Sequence, residues 1–222
     1  MPIDRARKLL FVHIPKTAGT SVEELLGLRG PWQNENINTC FGLIQSLSLL
    51  EEGFRSNFLQ HLTLAELSRL LGSDLQGCTP FAVVRDPWTR IISSFRRKDP
   101  DLCHLIRSSC GRDAKEFDLE AYIELAGCLD HAHLRPQHRF LTLAGSDRID
   151  PRIHLFRQEQ LVDLEQWLAE RLGQSVVLPK SNVSVPQTPW SDLNAHQEDK
   201  LRERVRVLYA EDYAAFGYAG YP

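Results

Sequence analysis

The segment His13–Ser21, HIPKTAGTS, gathers the groups that hold an anion: one lysine, three hydroxyl side chains and a glycine. An apolar run before it reads as a strand, and the residues after it read as a helix. A turn in that position presents backbone amides and the positive end of a helix dipole. Lys16 adds a point charge, and Thr17, Thr20 and Ser21 add hydroxyl donors. Gly19 is expected to permit the tight turn. The result is a phosphate cradle. It is not a Walker A loop, because GxxxxGK is missing and the lysine precedes the glycine. The competing reading is a structural turn with an exposed lysine.

A second segment, AVVRDPWTRIISSFRR at Ala82–Arg97, carries Arg85 at the end of an apolar run and Ser93 about two helical turns later. An arginine holds a phosphate through two parallel hydrogen bonds, and a serine can complete the coordination. The competing reading pairs Arg85 with Asp86 or Glu159. Two separated phosphate-holding places suggest a ligand with phosphates at both ends. His131, His133 and His138 fit no common zinc spacing, so a polar lid or acceptor-binding surface is preferred and no metal is expected. Gln137 and Arg139 could contact a hydroxyl-rich acceptor there. For His13 two readings stay open, orienting the loop or packing in the core.

These residues need a frame. Lys8–Ile14 reads as a buried strand that Pro15 ends. Thr20 and Ser21 both have capping-box spacing, to Glu23 and Glu24, and Gly27 or Gly30 ends the helix. Asn57–Gln60 reads as a short strand, which puts His61 at a strand-to-helix junction. Thr63 with Glu66 caps a helix striped by Leu64, Leu67, Leu70 and Leu71. Pro80–Arg85 is the strongest strand, and Asp86-Pro87 opens a helix. Leu43–Leu50 has helical character, and Lys98–Arg112 reads as irregular. Later come a helix over Leu119–Leu129, a strand at Arg152–Phe156, a helix at Leu161–Leu172, a short strand at Ser175–Leu178 and a loop at Lys180–Trp190. A last helix spans about Asn194–Glu211. Alternating strands and helices predict α/β: a three-layer fold with a mostly parallel central sheet flanked by helices, whose ligand crevice lies at the carboxyl ends of the strands.

Together the two segments resemble the sulfotransferases that use 3′-phosphoadenosine 5′-phosphosulfate. PKTAGTS at Pro15–Ser21 resembles that family's 5′-phosphosulfate loop, and RDPWTRIISSF at Arg85–Phe95 its 3′-phosphate segment. The resemblance is strongest to the carbohydrate-type branch, with the uronyl 2-O-sulfotransferases and bacterial relatives. QHLTLAEL at Gln60–Leu67, RPQHRFL at Arg135–Leu141, HLFRQEQL at His154–Leu161 and DYAAFGY at Asp212–Tyr218 follow that branch in order. The resemblance implies a P-loop-like fold and a role for each matching residue. Lys16 would meet the 5′-phosphosulfate and offset charge on the bridging oxygen. Thr17, Ala18, Gly19, Thr20 and Ser21 would hold the 5′ end. Arg85 and Ser93 would bind the 3′-phosphate, and Lys180 would lie near the nucleotide. His61 matches the histidine general base. Those enzymes carry a second histidine two residues earlier, where this chain has Leu59. The chemistry implied is sulfonate transfer to a hydroxyl of a small molecule or glycan, leaving adenosine 3′,5′-bisphosphate, with no metal needed. An imidazole ahead of a helix N-terminus favours the neutral form that a base requires.

Bulk composition bounds the alternatives. The 222 residues are 42% hydrophobic and 25% charged, which suits one domain over 1–222, with acceptor-site elaborations at 31–56 and 98–140. A net charge of -3 argues against a nucleic-acid partner. The apolar run near the start is too short for a signal peptide, and no stretch is long enough to span a membrane, so a cytoplasmic location is expected. The five scattered cysteines contain no CxxC pair and read as reduced thiols. A phosphotransferase of P-loop type is the second enzymatic reading; a nucleotide-binding module without turnover is the third.

Overall fold

The computed structural model describes residues 2–51, 53–111, 113, 117–181 and 195–218. These form a mixed α/β fold with a central sheet flanked by helices. The chain divides into two compact units, Met1–Arg85 with Gln137–Asn182, and Asp86–Pro136 with Val183–Pro222.

The first unit holds the sheet. Its strands are β1 (Ile3–Asp4), β2 (Leu9–Val12), β3 (Thr79–Val84) and β4 (His154–Arg157), in that spatial order. β1 pairs antiparallel with β2, while β2–β3 and β3–β4 are parallel. The two central strands are buried, as their unbroken apolar sequences require; β4 is an edge and mostly exposed. Alternate residues serve opposite faces. Leu9, Phe11, Phe81 and Val83 pack against Val22 and Leu26, at α1 (Gly19–Leu25), and against Leu164 and Leu168 of α7 (Leu161–Leu172). Trp167 of α7 touches Phe81 and Phe156, and Arg171 lies 3.7 Å over its ring. On the other face Leu10 and Pro80 share a small cavity with Leu64 and Ser68 of α3 (Leu64–Leu71). Thr63 and Glu66 make the expected capping box at α3, which stabilises it by about 1 kcal/mol. Between α1 and α3 lies the short α2 (Leu47–Glu51).

The second unit is helical among its described residues: α4 (Pro87–Arg97), α5 (Pro100–Cys110), α6 (Leu119–Ala126), α8 (Ala195–Leu208) and α9 (Ala210–Phe216). Trp88, Ile91, Leu102, Ile106, Tyr122, Val205 and Tyr209 build its core. Ser94 bonds Tyr122 Oη at 2.8 Å, and Tyr209 Oη donates to the Leu134 carbonyl at 2.6 Å. Burial pushes both phenols above their ordinary range.

Several expectations need correction. The segment Lys98–Arg112, expected to be irregular, holds helix α5 over Pro100–Cys110. Asp99 accepts from the amides of Asp101 and Leu102, Pro100 opens α5, and Gly111 closes it at φ 67°. Asn57–Gln60 is not a strand: a single bridge joins Leu43 to Phe58, and Leu59–His61 is one 3₁₀ turn. No strand forms at Ser175–Leu178. The last helix breaks at Tyr209, whose φ and ψ of -114° and 30° leave the helical region. Residues 182–190 of the expected loop, Trp190 included, lie outside the described residues. All five cysteines are free thiols.

Candidate active site

The loop between β2 and α1 is built from inside. Pro15 follows the buried Ile14, and Thr17, fully buried, donates its hydroxyl to the Ile14 carbonyl at 2.8 Å. That bond closes the turn. Burial then alternates: Lys16, Ala18 and Thr20 are half-buried, while Thr17, Gly19 and Ser21 are buried. Lys16 and Ala18 both take positive φ, 74° and 70°. Non-glycine residues held there cost on the order of 1–3 kcal/mol each, a strain that recurs at ligand-binding loops. Ala18, left-handed at φ 70° and ψ 17°, leads directly into the first turn of α1, a backbone step of the kind that presents amides to an anion.

Gly19, expected to permit the tight turn, is the first residue of α1 and does not take a positive φ. It is needed for space: a Cβ there would lie 2.0 Å from Nε2 of His13. The caps expected of Thr20 and Ser21 also fail. Ala18 is the N-cap, and its methyl can make no capping bond; Glu23 and Glu24 are engaged elsewhere. Glu23 Oε1 lies 2.6 Å from His13 Nδ1, both side chains under a tenth exposed. A carboxylate accepts, so Nδ1 carries the proton and Nε2 faces Gly19. Glu24 accepts from Ser181 and from Arg29, which holds its carboxyl below the usual range. Lys180, beside Ser181, is exposed.

His61 arrives from the other direction. Its half-buried ring stands edge-on to that of His13, centroids 5.1 Å apart at 83°. The 3₁₀ turn that carries it runs into Leu62 and the Thr63 cap. Leu59, two residues before it, is fully buried among Ile44, Leu49 and Leu62.

Arg85 closes the site at the end of β3. Its Nη1 donates to the Lys16 carbonyl at 3.2 Å. Gln137 fixes its backbone from both sides: the Arg85 amide donates to Gln137 Oε1 at 2.9 Å, and Gln137 Nε2 donates to the Arg85 carbonyl at 2.8 Å. Gln137 is fully buried, so its carboxamide is a structural clasp rather than the acceptor contact expected of it; Arg139 is exposed. The structure thus brings the Arg85 guanidinium onto the turn that carries Lys16, with His13 against Gly19 and His61 against His13. Ser93 belongs to the second unit, half-buried on α4.

In the second unit His131 Nε2 lies 3.2 Å from Asp101, and His133 Nε2 lies 4.0 Å from Asp99. Among the described residues no group of three or more His, Cys, Asp or Glu is placed to hold a metal ion. None of their helices is long and apolar enough to cross a membrane. Sequence reasoning missed Glu23 as the partner of His13. The readable signal was a histidine inside an otherwise apolar strand, which needs a buried partner.

A strained loop at the carboxyl end of a parallel strand, crossed by an arginine from the next strand, defines a mixed α/β protein with a candidate anion site. The model of the Sulfotransferase family matches residues 1–219, and the chain belongs to that family of transferases. No curated protein and no solved structure matches it.

Proposed function

We propose that the chain transfers a sulfonate from 3′-phosphoadenosine 5′-phosphosulfate to a hydroxyl of a carbohydrate or glycoconjugate. The observation that carries this reading is the meeting of Lys16 and Arg85 on one strained turn, with an imidazole pair beside it. Lys16 and the backbone of Thr17–Ser21, with the Thr20 and Ser21 hydroxyls, hold the 5′ end. Arg85 and Ser93 take the 3′-phosphate, and Lys180 lies near the nucleotide. The acceptor oxygen forms its bond to sulfur as the bond from sulfur to the bridging oxygen breaks. His61 takes the acceptor proton, and Lys16 offsets the charge left on adenosine 3′,5′-bisphosphate. His13, locked by Glu23, positions the loop and the His61 ring. The whole of 1–222 works as one catalytic domain, cytoplasmic, with acceptor contacts from 31–56 and 98–140.

Calorimetry tests the nucleotide half: adenosine 3′,5′-bisphosphate should bind in the micromolar range, about -8 kcal/mol, and Arg85→Ala should abolish it. A folded wild type that does not bind it defeats the reading. For the chemistry, His61→Ala should bind the nucleotide normally and transfer at least about a hundredfold more slowly. The buried Leu59 favours one other outcome, a binding module without turnover. That outcome requires nucleotide binding with neither donor hydrolysis nor transfer across a broad acceptor panel. Transfer from ATP that needs Mg²⁺ would instead make the protein a phosphotransferase.

A further inference from the structure

The aromatic line that reaches His61 does not stop there. The Phe58 ring lies 5.9 Å from that of His61, and 6.2 Å from the ring of Trp32. Trp32 is 54% exposed. Single exposed apolar residues need no explanation, but this one shares a phenyl neighbour with the imidazole that the reaction uses.

Its backbone is also fixed. The Leu43 amide donates to the Trp32 carbonyl at 2.8 Å, and Leu43 is the bridge partner of Phe58. Gly42 is held by Gln60 Oε1 at 2.8 Å and by the Leu59 amide at 2.9 Å. No side chain could replace its hydrogen, since a Cβ would lie 1.7 Å from the Asn34 carbonyl oxygen. Glu35 Oε2 accepts from the Ser46 amide and hydroxyl at 2.8 and 2.6 Å. An exposed indole on a rigid hairpin is preorganised to bind, because little freedom is lost when a ligand covers it.

The chemistry of the neighbourhood selects the ligand. Gln33 and Asn34 follow Trp32 directly and are exposed. Carboxamides both donate and accept, which matches hydroxyl groups. Across residues 31–61 the acids are Glu35, Glu51 and Glu52, and the cations are Arg55 and His61 when protonated. Among the described residues this segment offers an indole and amides, and Arg5, which reaches it from β1's side, is engaged by the Asn38 carbonyl and Asp74. We infer that Trp32, Phe58, Gln33 and Asn34 form an acceptor subsite for a neutral pyranose, its C–H face on the indole. A uronate-bearing acceptor does not suit it, and a phenol would leave the amides unused.

The inference rests on the transfer reading, and the experiment separates the two. Full-length protein is titrated by calorimetry with neutral tetrasaccharides of glucose, galactose, mannose and N-acetylglucosamine, with a uronate-bearing disaccharide, with 4-nitrophenol, and with adenosine 3′,5′-bisphosphate. At least one neutral tetrasaccharide should bind best. Trp32→Ala should weaken it tenfold or more and Trp32→Phe less, with nucleotide affinity unchanged in both. Preference for the uronate or the phenol, no binding of any neutral tetrasaccharide, or wild-type sugar affinity in Trp32→Ala overturns the subsite. Sugar binding sensitive to Trp32 without nucleotide binding keeps the subsite and removes the transfer reading.

Discussion

Each unit of this chain pairs histidine with carboxylate, and the two pairings do different work. In the first, His13 and Glu23 meet at 2.6 Å, both nearly excluded from water, directly under Gly19. In the second, His131 meets Asp101 at 3.2 Å with the carboxylate about a third exposed. Asp99, near His133, also caps α5. The second set fastens a turn to the start of a helix. The first shapes a loop whose backbone is already strained at Lys16 and Ala18. Like pairs of residues therefore say little about function until burial and the adjoining backbone are known.

The largest expected effect lies at the loop the first pair supports. Lys16→Ala should lower transfer on the order of 10²–10³-fold with thermal stability nearly unchanged, read by steady-state kinetics beside a melting curve. Normal transfer would leave the first pairing with no site to serve.

Gly19→Ala tests the pairing itself. The added methyl collides with His13, so stability should fall by about 1–3 kcal/mol and nucleotide affinity with it. His13→Ala in the same chain should restore part of the loss. If the two changes simply add, the imidazole is not what forbids a side chain at position 19.

A smaller difference should separate the two carboxylates. Glu23→Ala orphans a buried donor and should cost about 1–3 kcal/mol in denaturant unfolding, with a raised KM for the sulfonate donor. Glu23→Gln, which keeps an acceptor oxygen, should recover much of it. Asp101→Asn loses a partly exposed pair and should cost under about 1 kcal/mol, leaving kinetics alone. Equal costs would erase the contrast.

The mildest effect belongs to the second unit and to alkaline solution. Burial, and then the charge of Asp86, push the Tyr213 phenol up to about 12. In the unfolded chain it ionises near pH 10, so the unfolded state sheds its proton first. Its contribution is whole below about pH 10 and is lost as pH rises toward about 12. The melting temperature should fall through that window, and Tyr213→Phe should make the fall shallower, the raised phenols of Tyr122 and Tyr209 supplying the rest.

Much of the frame could be read from residue types. β2, β3, α4 and α7 announce themselves through apolar runs, Asp-Pro and helical spacing, because those signals are local. Helix α5 was legible too, through Asp99, Pro100 and Gly111, but its mixed polarity hid it. The strand expected at Asn57–Gln60 failed because the hairpin ending at Gly42 claims that backbone. At the site, Lys16 and Arg85 could be found from motif and strand position. Glu23 could not. Its spacing from Thr20 satisfies a capping pattern, and only the tertiary approach of His13 diverts the carboxylate. Trp32 was hidden likewise, since its neighbour Phe58 is 26 residues away in the chain.

The clasp of Gln137 on Arg85 has a topological side. The chain leaves the sheet-bearing unit after Arg85 and re-enters it at Gln137, and those two residues hold each other across 52 positions. The excursion between them is a handle with both ends soldered at one carboxamide. Lengthening such a closed loop costs little, since closure entropy grows only with the logarithm of its length. Insertions within 98–136 should therefore be tolerated by the sheet and its anion loop, which leaves that stretch free to diversify while Lys16, Arg85 and Ser93 are kept.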